Sequence, residues 1–402
     1  MLHQIIRRGA RLIESPARRF VTLDTDELLA AARSRVDDVD FEDTTFLEGL
    51  NRLLHALVNE ARLNLLGRIV ARDSIVGHLV NRLRLEQDRR RYPDIATQPI
   101  PRPIVITGLP RSGSTLLHSL MAQDPANRAP RTWEMLTPSP PPDGATYEHD
   151  LRIAITEKRL RWLNRLMPEF KKIHPVGARL PEECVVMLSH SFLSSQFCSM
   201  YVVPSYQTWV RSQNLLPAYR LHRRFLQHLQ WRCRGDRWIL KAPAHLPALG
   251  ELCAVYPDVG VIMTHREPLE VLPSEASLHT VLRQIFSDVV DPVAVGREVT
   301  ELTADEIRTG LQARDRGCAP PERFLDLRYR DLVKDPIGTV GSAYAHFDIP
   351  FTPIAETRMR QFLAESPKDK HGAHVYSLSQ FGLDADEEHQ RYRDYRERFL
   401  QN

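Results

Sequence analysis

The sequence has few cysteines, and none of them are spaced as zinc ligands usually are. The five cysteines are widely separated, their number is odd, and no Cys-x-x-Cys pair occurs. This pattern favours free, buried thiols in a reducing compartment over disulfides or a zinc site. A cytoplasmic protein without a metal is therefore expected. The cysteines are Cys184, Cys198, Cys233, Cys253 and Cys318.

The chain also lacks a strong net charge and a long apolar run. Its 402 residues carry a formal charge of only +3, which gives no reason to expect nucleic acid as a partner. No apolar run is long enough to cross a bilayer. Residues 1–20 are basic and amphipathic, which favours a surface helix, with an interfacial anchor or a transit peptide as the alternative. Peripheral membrane contact stays open, and no oligomeric state is indicated.

The order of elements along the chain predicts an α/β fold, a parallel sheet flanked by helices. Residues 1–95 carry apolar residues at helical spacing and predict an N-terminal helical region, with Thr25 as a candidate N-cap. A proline-rich stretch separates this region from an α/β domain over residues 96–402. In that domain, short apolar runs alternate with helical segments, which is typical of a parallel sheet. The predicted strands lie at residues 103–108, 237–243, 259–266 and 323–329.

Residues 138–235 predict an insertion between the core elements. The insertion begins with the exposed loop PSPPPDG and is otherwise mainly helical, with breaks at its prolines. Its position favours a role in binding an acceptor substrate. The helix that follows residue 266 is expected to be interrupted near Pro273.

The strongest local signal is the segment Gly108-Leu-Pro-Arg-Ser-Gly-Ser-Thr115. It has the frame of a phosphate-binding loop, in which glycines let backbone N–H groups approach an anion at the start of a helix. Nucleotide triphosphatases need a lysine after the second glycine, where this chain has Ser114. A different cation, Arg111, lies inside the loop. The pattern therefore disfavours an ATPase or a kinase, and a plain glycine-rich turn is the alternative.

The wider segment PIVITGLPRSGSTLLHSLMAQDP resembles the 5′-phosphosulfate-binding loop of sulfotransferases that use 3′-phosphoadenosine-5′-phosphosulfate (PAPS). The resemblance implies that Arg111 contacts the bridging oxygen and stabilises charge on the leaving phosphate. It also implies hydrogen bonds to the 5′-phosphate from the loop residues Ser112, Gly113, Ser114 and Thr115.

Two further motifs support this resemblance. The segment VGVIMTHREPLEVLPSEASL carries Arg266 and, eight positions on, Ser274, the separation that the family uses to bind the 3′-phosphate. The segment LKAPAHL resembles the LKxPxHL motif of the bacterial branch. It places Lys241 near the leaving group and His245 close behind. A surface lysine at the end of a strand is the alternative interpretation of Lys241.

Two segments near the C-terminus complete the set. YRDLVKDP resembles the family element that places a tyrosine, here Tyr329, near the adenine. KHGAHVYSLSQFGL resembles the loop that closes over the 3′-phosphate, with Lys370 and Gly372 as its candidates. His371 and His374 have no evident third ligand, so a metal is not expected there.

The resemblance implies a PAPS-dependent sulfotransferase that acts on a hydroxyl of a small-molecule or lipid acceptor. The hydroxyl needs a general base, and Glu134 and His245 are the two candidates, with Glu134 favoured by its position. Glu182 and Glu183 are candidates for acceptor binding. A small-molecule kinase with a phosphate loop and a non-catalytic binding protein with the sulfotransferase fold are the alternatives.

Overall fold

The computed structural model describes residues 21–166, 177–365 and 377–401. The chain begins with three helices, α1 (Thr25–Arg33), α2 (Leu47–Asn59) and α3 (Leu65–Arg91). The cap of α1 is Asp24, whose carboxylate accepts the N–H of Glu27 at 3.1 Å. The prediction of Thr25 as the cap is therefore wrong by one residue, because Asp24 keeps the extended backbone that an N-cap requires.

Five parallel strands form the sheet. The strands are β1 (Ile104–Gly108), β2 (Asn127–Arg128), β3 (Arg237–Lys241), β4 (Gly260–His265) and β5 (Phe324–Arg328). They pair side by side in the spatial order β2-β3-β1-β4-β5. Each of the four predicted strands is confirmed, since each apolar run forms a strand. The edge strand β2 has only two residues and is too short to show an apolar pattern in the sequence.

Strand β1 lies at the centre of the sheet, between β3 and β4. From β1 the chain passes through helix α4 (Ser114–Met121) to the edge strand β2 and then returns to β3. It next crosses to the other side of β1 to form β4 and β5. The strand order thus reverses beside β1, and in open parallel sheets ligands bind at such a point, outside the carboxyl ends of the strands.

The predicted insertion is mainly helical, as expected. Its prolines act as predicted at Pro204 and Pro217, which start helices, whereas Pro168 and Pro175 lie outside the described residues. The segment 138–144 forms neither helix nor strand. The helices around and within the insertion are α5 (Thr132–Leu136), α6 (Leu151–Leu166), α7 (Val185–Ser189), α8 (Gln196–Met200), α9 (Pro204–Arg211) and α10 (Leu216–Gln230).

Helices also fill the C-terminal part of the fold. The expected interruption near Pro273 is wrong, because one helix runs through this residue. Proline removes one hydrogen bond from the helix, but Val271, Leu272 and Ala276 are fully buried and hold the segment against the core. The helices are α11 (Leu249–Val255), α12 (Pro268–Phe286), α13 (Pro292–Asp315), α14 (Tyr329–Lys334), α15 (Pro336–His346), α16 (Pro353–Glu365), α17 (Ala385–Arg391) and α18 (Arg393–Phe399).

The N-terminal helices share an apolar core with the insertion. Leu50 and Leu53 of α2 belong to the same buried cluster as Phe192, Phe197 and Tyr206. The two parts of the chain bury their apolar faces together. This packing does not show a boundary at residue 95, so the division of the chain there stays a prediction. Among the described residues, no helix has the length and apolar character that a membrane span requires.

A set of buried histidines predicts acid-sensitive stability. Burial lowers the pKa of each below the ordinary value of 6.5, for example to about 3 for His222 and about 4 for His228. The unfolded chain therefore binds protons that the folded chain does not between pH 6.5 and about 4. Stability is lost as the pH falls through that window, by up to about tenfold in the folding constant per pH unit for each histidine. The histidines are His78, His118, His190, His222, His228, His245, His265 and His279.

We expect the urea midpoint to fall between pH 7 and pH 5. Four carboxyl groups act in the opposite direction. Burial raises the pKa values of Glu275 and Glu306 to about 8 and about 7, and it also raises those of Glu86 and Asp88. They are outnumbered by the histidines. Equilibrium unfolding at each pH measures the slope, and His228→Gln should make it shallower. A midpoint that is constant or higher at pH 5 contradicts the expectation.

Candidate active site

The phosphate-loop frame forms a tight turn at the end of β1. Gly108 has φ +122°, and a Cβ at this position would lie 2.3 Å from the carbonyl oxygen of Thr264 on β4. Gly113 has φ +87° and caps helix α4, where a Cβ would lie 2.9 Å from the Leu332 side chain and 3.0 Å from the Tyr329 ring. Only glycine fits both positions without strain. The turn leads directly into the N-terminus of α4, whose first backbone N–H groups suit an anion.

The Ser112 hydroxyl holds the loop against the sheet. It is fully buried, contacts the Thr264 hydroxyl at 2.6 Å and donates to the carbonyl oxygen of Leu109. These bonds engage the Ser112 hydroxyl inside the protein. The expectation that the Ser112 side chain also donates to a phosphate is therefore not supported by this geometry.

Arg266 brings three of the predicted residues together. It follows β4 directly, and its guanidinium donates to the carbonyl oxygen of Arg111 at 2.8 Å. The same guanidinium lies 4.2 Å from the centre of the Tyr329 ring and pairs with Glu270 at 2.9 Å. Arg111, Arg266 and Tyr329, which are far apart in sequence, thus line one side of the loop.

Helix α12 adds Ser274 and a carboxyl group that the sequence did not single out. Ser274 is buried, two turns after Arg266. The next residue, Glu275, has a buried Oε2 atom without a hydrogen-bond partner among the described residues. Burial raises the pKa of Glu275 to about 8, and the nearby Glu306 raises it too, whereas Arg111 lowers it. This carboxyl group is therefore mostly protonated at neutral pH.

Lys241 lies on the other side of the loop. The side chain leaves the end of β3, is only 2% exposed, and donates to the hydroxyl of Thr115 at 3.2 Å. It also forms an ion pair with Glu183, which is 21% exposed. The surface-lysine alternative is thereby excluded. The pairing of Glu183 with Lys241 could not be read from the sequence, because the two residues are 58 positions apart.

A neutral histidine, His118, contacts the strand that carries Lys241. His118 of α4 is buried and contacts the carbonyl oxygen of Ile239 on β3 at 3.2 Å. Burial lowers the pKa of His118 to about 3, and the positive charge of Lys241 adds to this effect. His118 therefore stays uncharged and positions α4 against β3.

Glu134 lies in a buried ion pair. It is fully buried, and its carboxylate pairs with Arg128. Its Oε2 atom also accepts the backbone N–H of Arg131 at 2.9 Å and the Tyr147 hydroxyl at 2.8 Å. Both oxygens are thus engaged in holding α5 and the start of the insertion together. A role of Glu134 as general base stays a prediction that these bonds do not favour.

His245 is also engaged in the interior. It ends the short 3₁₀ turn Pro243–His245, is fully buried, and its Nδ1 atom lies 2.7 Å from the Tyr219 hydroxyl. Burial lowers its pKa well below the ordinary value, with smaller effects from His222 and Lys241. Lys370 and Gly372 lie outside the described residues, as do His371 and His374.

The assembled site combines three cations, one carboxylate and an anion-binding turn. Arg111, Lys241 and Arg266 come from the carboxyl ends of β1, β3 and β4, at the point where the strand order reverses. Glu183 supplies a partly exposed carboxylate beside Lys241. Such a set can bind a phosphorylated ligand, stabilise negative charge on a leaving group and accept a proton.

Comparison with known proteins assigns this architecture. The model of the "Sulfotransferase family" matches residues 103–353, which include the loop, Lys241, Arg266 and Tyr329. A curated relative, omega-hydroxy-beta-dihydromenaquinone-9 sulfotransferase Stf3 of Mycobacterium bovis, is 28% identical over 292 residues, or 69% of this chain and 71% of that protein.

Two solved structures resemble most of the chain. Sulfotransferase STF1 of Mycobacterium tuberculosis is 32% identical, with a TM-score of 0.82, and the match covers 92% of this chain and 98% of that one. Sulfotransferase STF9 of Mycobacterium avium is 25% identical, with a TM-score of 0.86, and the match covers 95% of this chain and 98% of that one.

Proposed function

The chain belongs to the sulfotransferase family, and from this premise we propose that it transfers a sulfuryl group from PAPS to a hydroxyl of a small-molecule or lipid acceptor. The observation that carries the proposal is the meeting of Arg111, Lys241 and Arg266 around a phosphate-loop frame that lacks the lysine of nucleotide triphosphatases. Three cations at one turn fit a donor with two phosphate groups better than they fit a neutral ligand.

The residues of the turn fit this donor in a specific way. The N–H groups of the loop and the N-terminus of α4, where Gly113 leaves the backbone open, would hold the 5′-phosphate. Arg266 and Ser274 would hold the 3′-phosphate, and the Tyr329 ring would contact the adenine. When bound, PAPS supplies the sulfuryl group and a phosphate leaving group. Arg111 and Lys241 stabilise the charge that develops on that leaving group, and the transfer needs no metal.

Glu183 is the general base in this proposal. Its carboxylate is partly exposed and lies next to Lys241, which contacts Thr115 of the loop. A base must reach the acceptor hydroxyl close to the sulfuryl group. The partial exposure of Glu183 beside Lys241 supports this role. The hydrogen bonds of Glu134 and His245, in contrast, join them to other buried side chains. The hydroxyl oxygen would form the new bond to sulfur as the bond between sulfur and the bridging oxygen breaks, with its electron pair passing to the leaving phosphate, while Glu183 takes the hydroxyl proton.

Calorimetric titration tests the donor. We expect the purified protein to bind adenosine 3′,5′-bisphosphate (PAP), the product form of the donor, with micromolar affinity. We expect no binding of ATP with magnesium. Arg266→Ala should weaken PAP binding at least about 100-fold, because it removes a phosphate contact and also the hydrogen bond that holds the loop at Arg111. Arg308→Ala, at an exposed position on α13, is the matched control and should bind normally.

The alternatives predict different titrations. Binding of ATP with magnesium and no response to PAP would support the kinase. Binding of neither nucleotide would support a non-catalytic role. Binding of PAP without sulfuryl transfer to any alcohol would support the donor assignment and contradict the proposed enzyme activity.

A membrane lipid alcohol is the acceptor class that the surface favours. The relative Stf3 is named for a menaquinone derivative with a hydroxyl group. In the present chain, helix α6 exposes Leu151, Ile155 and Trp162, which are 81%, 66% and 55% exposed. At about 100° per residue, these three side chains lie within about 40° of one another on the helix.

Cations flank this apolar face. Lys158, Arg161 and Arg165 are exposed on the same helix, and the acidic Glu157 points away, to the backbone N–H of Ala178 at 2.7 Å. An apolar strip with a basic border is typical of a helix that lies in the surface of an anionic bilayer. Peripheral membrane contact at α6 would bring the insertion close to its lipid substrate.

Vesicle sedimentation tests this contact. With vesicles that contain phosphatidylglycerol, we expect Trp162→Glu to reduce the bound fraction at least about fivefold, because a charge replaces an apolar anchor. Ile354→Glu changes a residue that is 60% exposed on α16 and should bind as the wild type does. Equal binding of both variants contradicts the contact, and normal transfer to a water-soluble alcohol by Trp162→Glu shows that the enzyme itself is intact.

The proposal includes a cytoplasmic location. All five cysteines are unbridged, three of them buried and two half-buried. Free thiols of this kind suit a reducing compartment.

A further inference from the structure

A cluster of a cysteine and two histidines lies behind Lys241. Cys184 immediately follows Glu183, His222 lies on α10, and His245 ends the turn after β3. One ligand atom from each of these side chains lies within 4.8 Å of the other two, and all three residues are fully buried. The cluster joins the insertion to the sheet at the back of the active site.

The hydrogen bonds of the two histidines leave one nitrogen of each ring open. The Tyr256 hydroxyl lies 2.7 Å from Nδ1 of His222, and the Tyr219 hydroxyl lies 2.7 Å from Nδ1 of His245. Both Nε2 atoms are buried and have no hydrogen-bond partner among the described residues. A buried nitrogen without a partner destabilises a fold, so two of them in one cluster need a physical reason.

We propose that Cys184, His222 and His245 form a metal site that binds Zn²⁺ or a closely related thiophilic cation. One thiolate and two imidazoles are a ligand set typical of Zn²⁺. Oxygen partners on Nδ1 orient metal-bound histidines and leave Nε2 for the metal, which is the arrangement seen at both rings. The sequence does not indicate the site, because its ligands are 38 and 23 positions apart (222 − 184 and 245 − 222) and form no compact motif.

The ligand atoms are close to the distances that Zn²⁺ requires. Bond lengths of about 2.3 Å to sulfur and about 2.0 Å to nitrogen place the ligands of a tetrahedral zinc roughly 3.3–3.6 Å apart. An approach of at most about 1.5 Å from the 4.8 Å limit therefore brings the three protein ligands to bonding distance, and the fourth tetrahedral position would take a water molecule. Binding releases the thiol proton to solvent as the sulfur–metal bond forms.

The site also has a consequence for the active site. The backbone N–H of Cys184 donates to the carbonyl oxygen of Lys241 at 2.9 Å, and Cys184 is the neighbour of Glu183. A metal on Cys184 therefore fixes the backbone that carries both members of the Lys241–Glu183 pair. Its role is to position these residues, since the transfer itself needs no metal.

Titration of metal-free protein with Co²⁺ tests the site. We expect one Co²⁺ per chain, with an intense thiolate-to-cobalt charge-transfer band and the visible absorption of tetrahedral cobalt. His222→Gln should raise the dissociation constant at least about 100-fold, and Cys184→Ser should abolish the charge-transfer band. The matched control is Cys198→Ser, which changes another buried free cysteine and should leave the band unchanged.

The wild-type protein provides a second test that does not depend on the folding of any variant. X-ray absorption of the zinc-loaded chain should show one sulfur and two imidazole ligands. Absence of the cobalt band in the wild type, a band that persists in Cys184→Ser, or a zinc shell without sulfur would each overturn the proposal.

Discussion

Replacing Lys241 with methionine should lower kcat for sulfuryl transfer about 10²–10³-fold, the usual effect of removing one charged donor from a preorganised site. Methionine fills nearly the same space but has no charge. The buried amine stabilises the leaving phosphate in the proposed mechanism, and it also neutralises Glu183. Steady-state kinetics with a model alcohol measure the loss, and Lys334→Met, at an exposed position, is the control.

PAP binding and a double variant separate the catalytic effect of Lys241 from its structural effect. Lys241→Met removes the cation that pairs with Glu183, so part of the loss in kcat could come from a displaced loop. PAP binding reports on the loop, because Lys241 also donates to Thr115. We expect PAP binding to fall less than tenfold while kcat falls far more. Equal losses in binding and in kcat would assign Lys241 to the structure of the site. If Lys241→Met and Glu183→Gln together lose less than the sum of the single losses, the pair acts as one unit.

The central strands and the phosphate loop could be predicted because their signals are local. In β1, five consecutive residues are buried, so the strand is a continuous apolar run. The loop that follows needs glycine at two positions where a Cβ would collide with a neighbour. Both features depend on residues that are adjacent in sequence. Strand β2 has only two residues and its place at the edge depends on its partner β3, so no local pattern shows it.

The pairings within the site could not be predicted because they join distant parts of the chain. The sequence presents Glu134 and Glu183 as two acids of the same kind near the loop and the insertion. The fold gives them different partners, since Glu134 meets Arg128 inside the protein and Glu183 meets Lys241 at the cleft. Tertiary packing decides which carboxylate stays accessible. The sequence does not show this packing, so it favoured Glu134, which is fully buried in the structure.

This difference between the two acids predicts opposite outcomes for one conservative change. Glu183→Gln should lower kcat about 10²–10⁴-fold, the range for loss of a general base. It also removes the counter-ion of the buried Lys241, but the Glu183 side chain is 21% exposed, so the urea midpoint should fall less than in Glu134→Gln. Glu134→Gln should destabilise the fold by about 3–5 kcal/mol, because it leaves the buried Arg128 without its counter-ion. The fraction that remains folded should keep most of its activity.

Kinetics and unfolding must be measured on the same preparations, because loss of folded protein imitates loss of catalysis. The pH profile gives a readout that a structural role would not change. If Glu183 is the base, the acid limb of the kcat profile should disappear in Glu183→Gln and remain in Glu134→Gln. A stable Glu134→Gln variant with very low kcat would restore Glu134 as the base, and a normal acid limb in Glu183→Gln would exclude Glu183. If both variants keep the limb and His245→Asn loses it, the proton goes to His245, and the cluster with Cys184 and His222 would then have to be open to the acceptor.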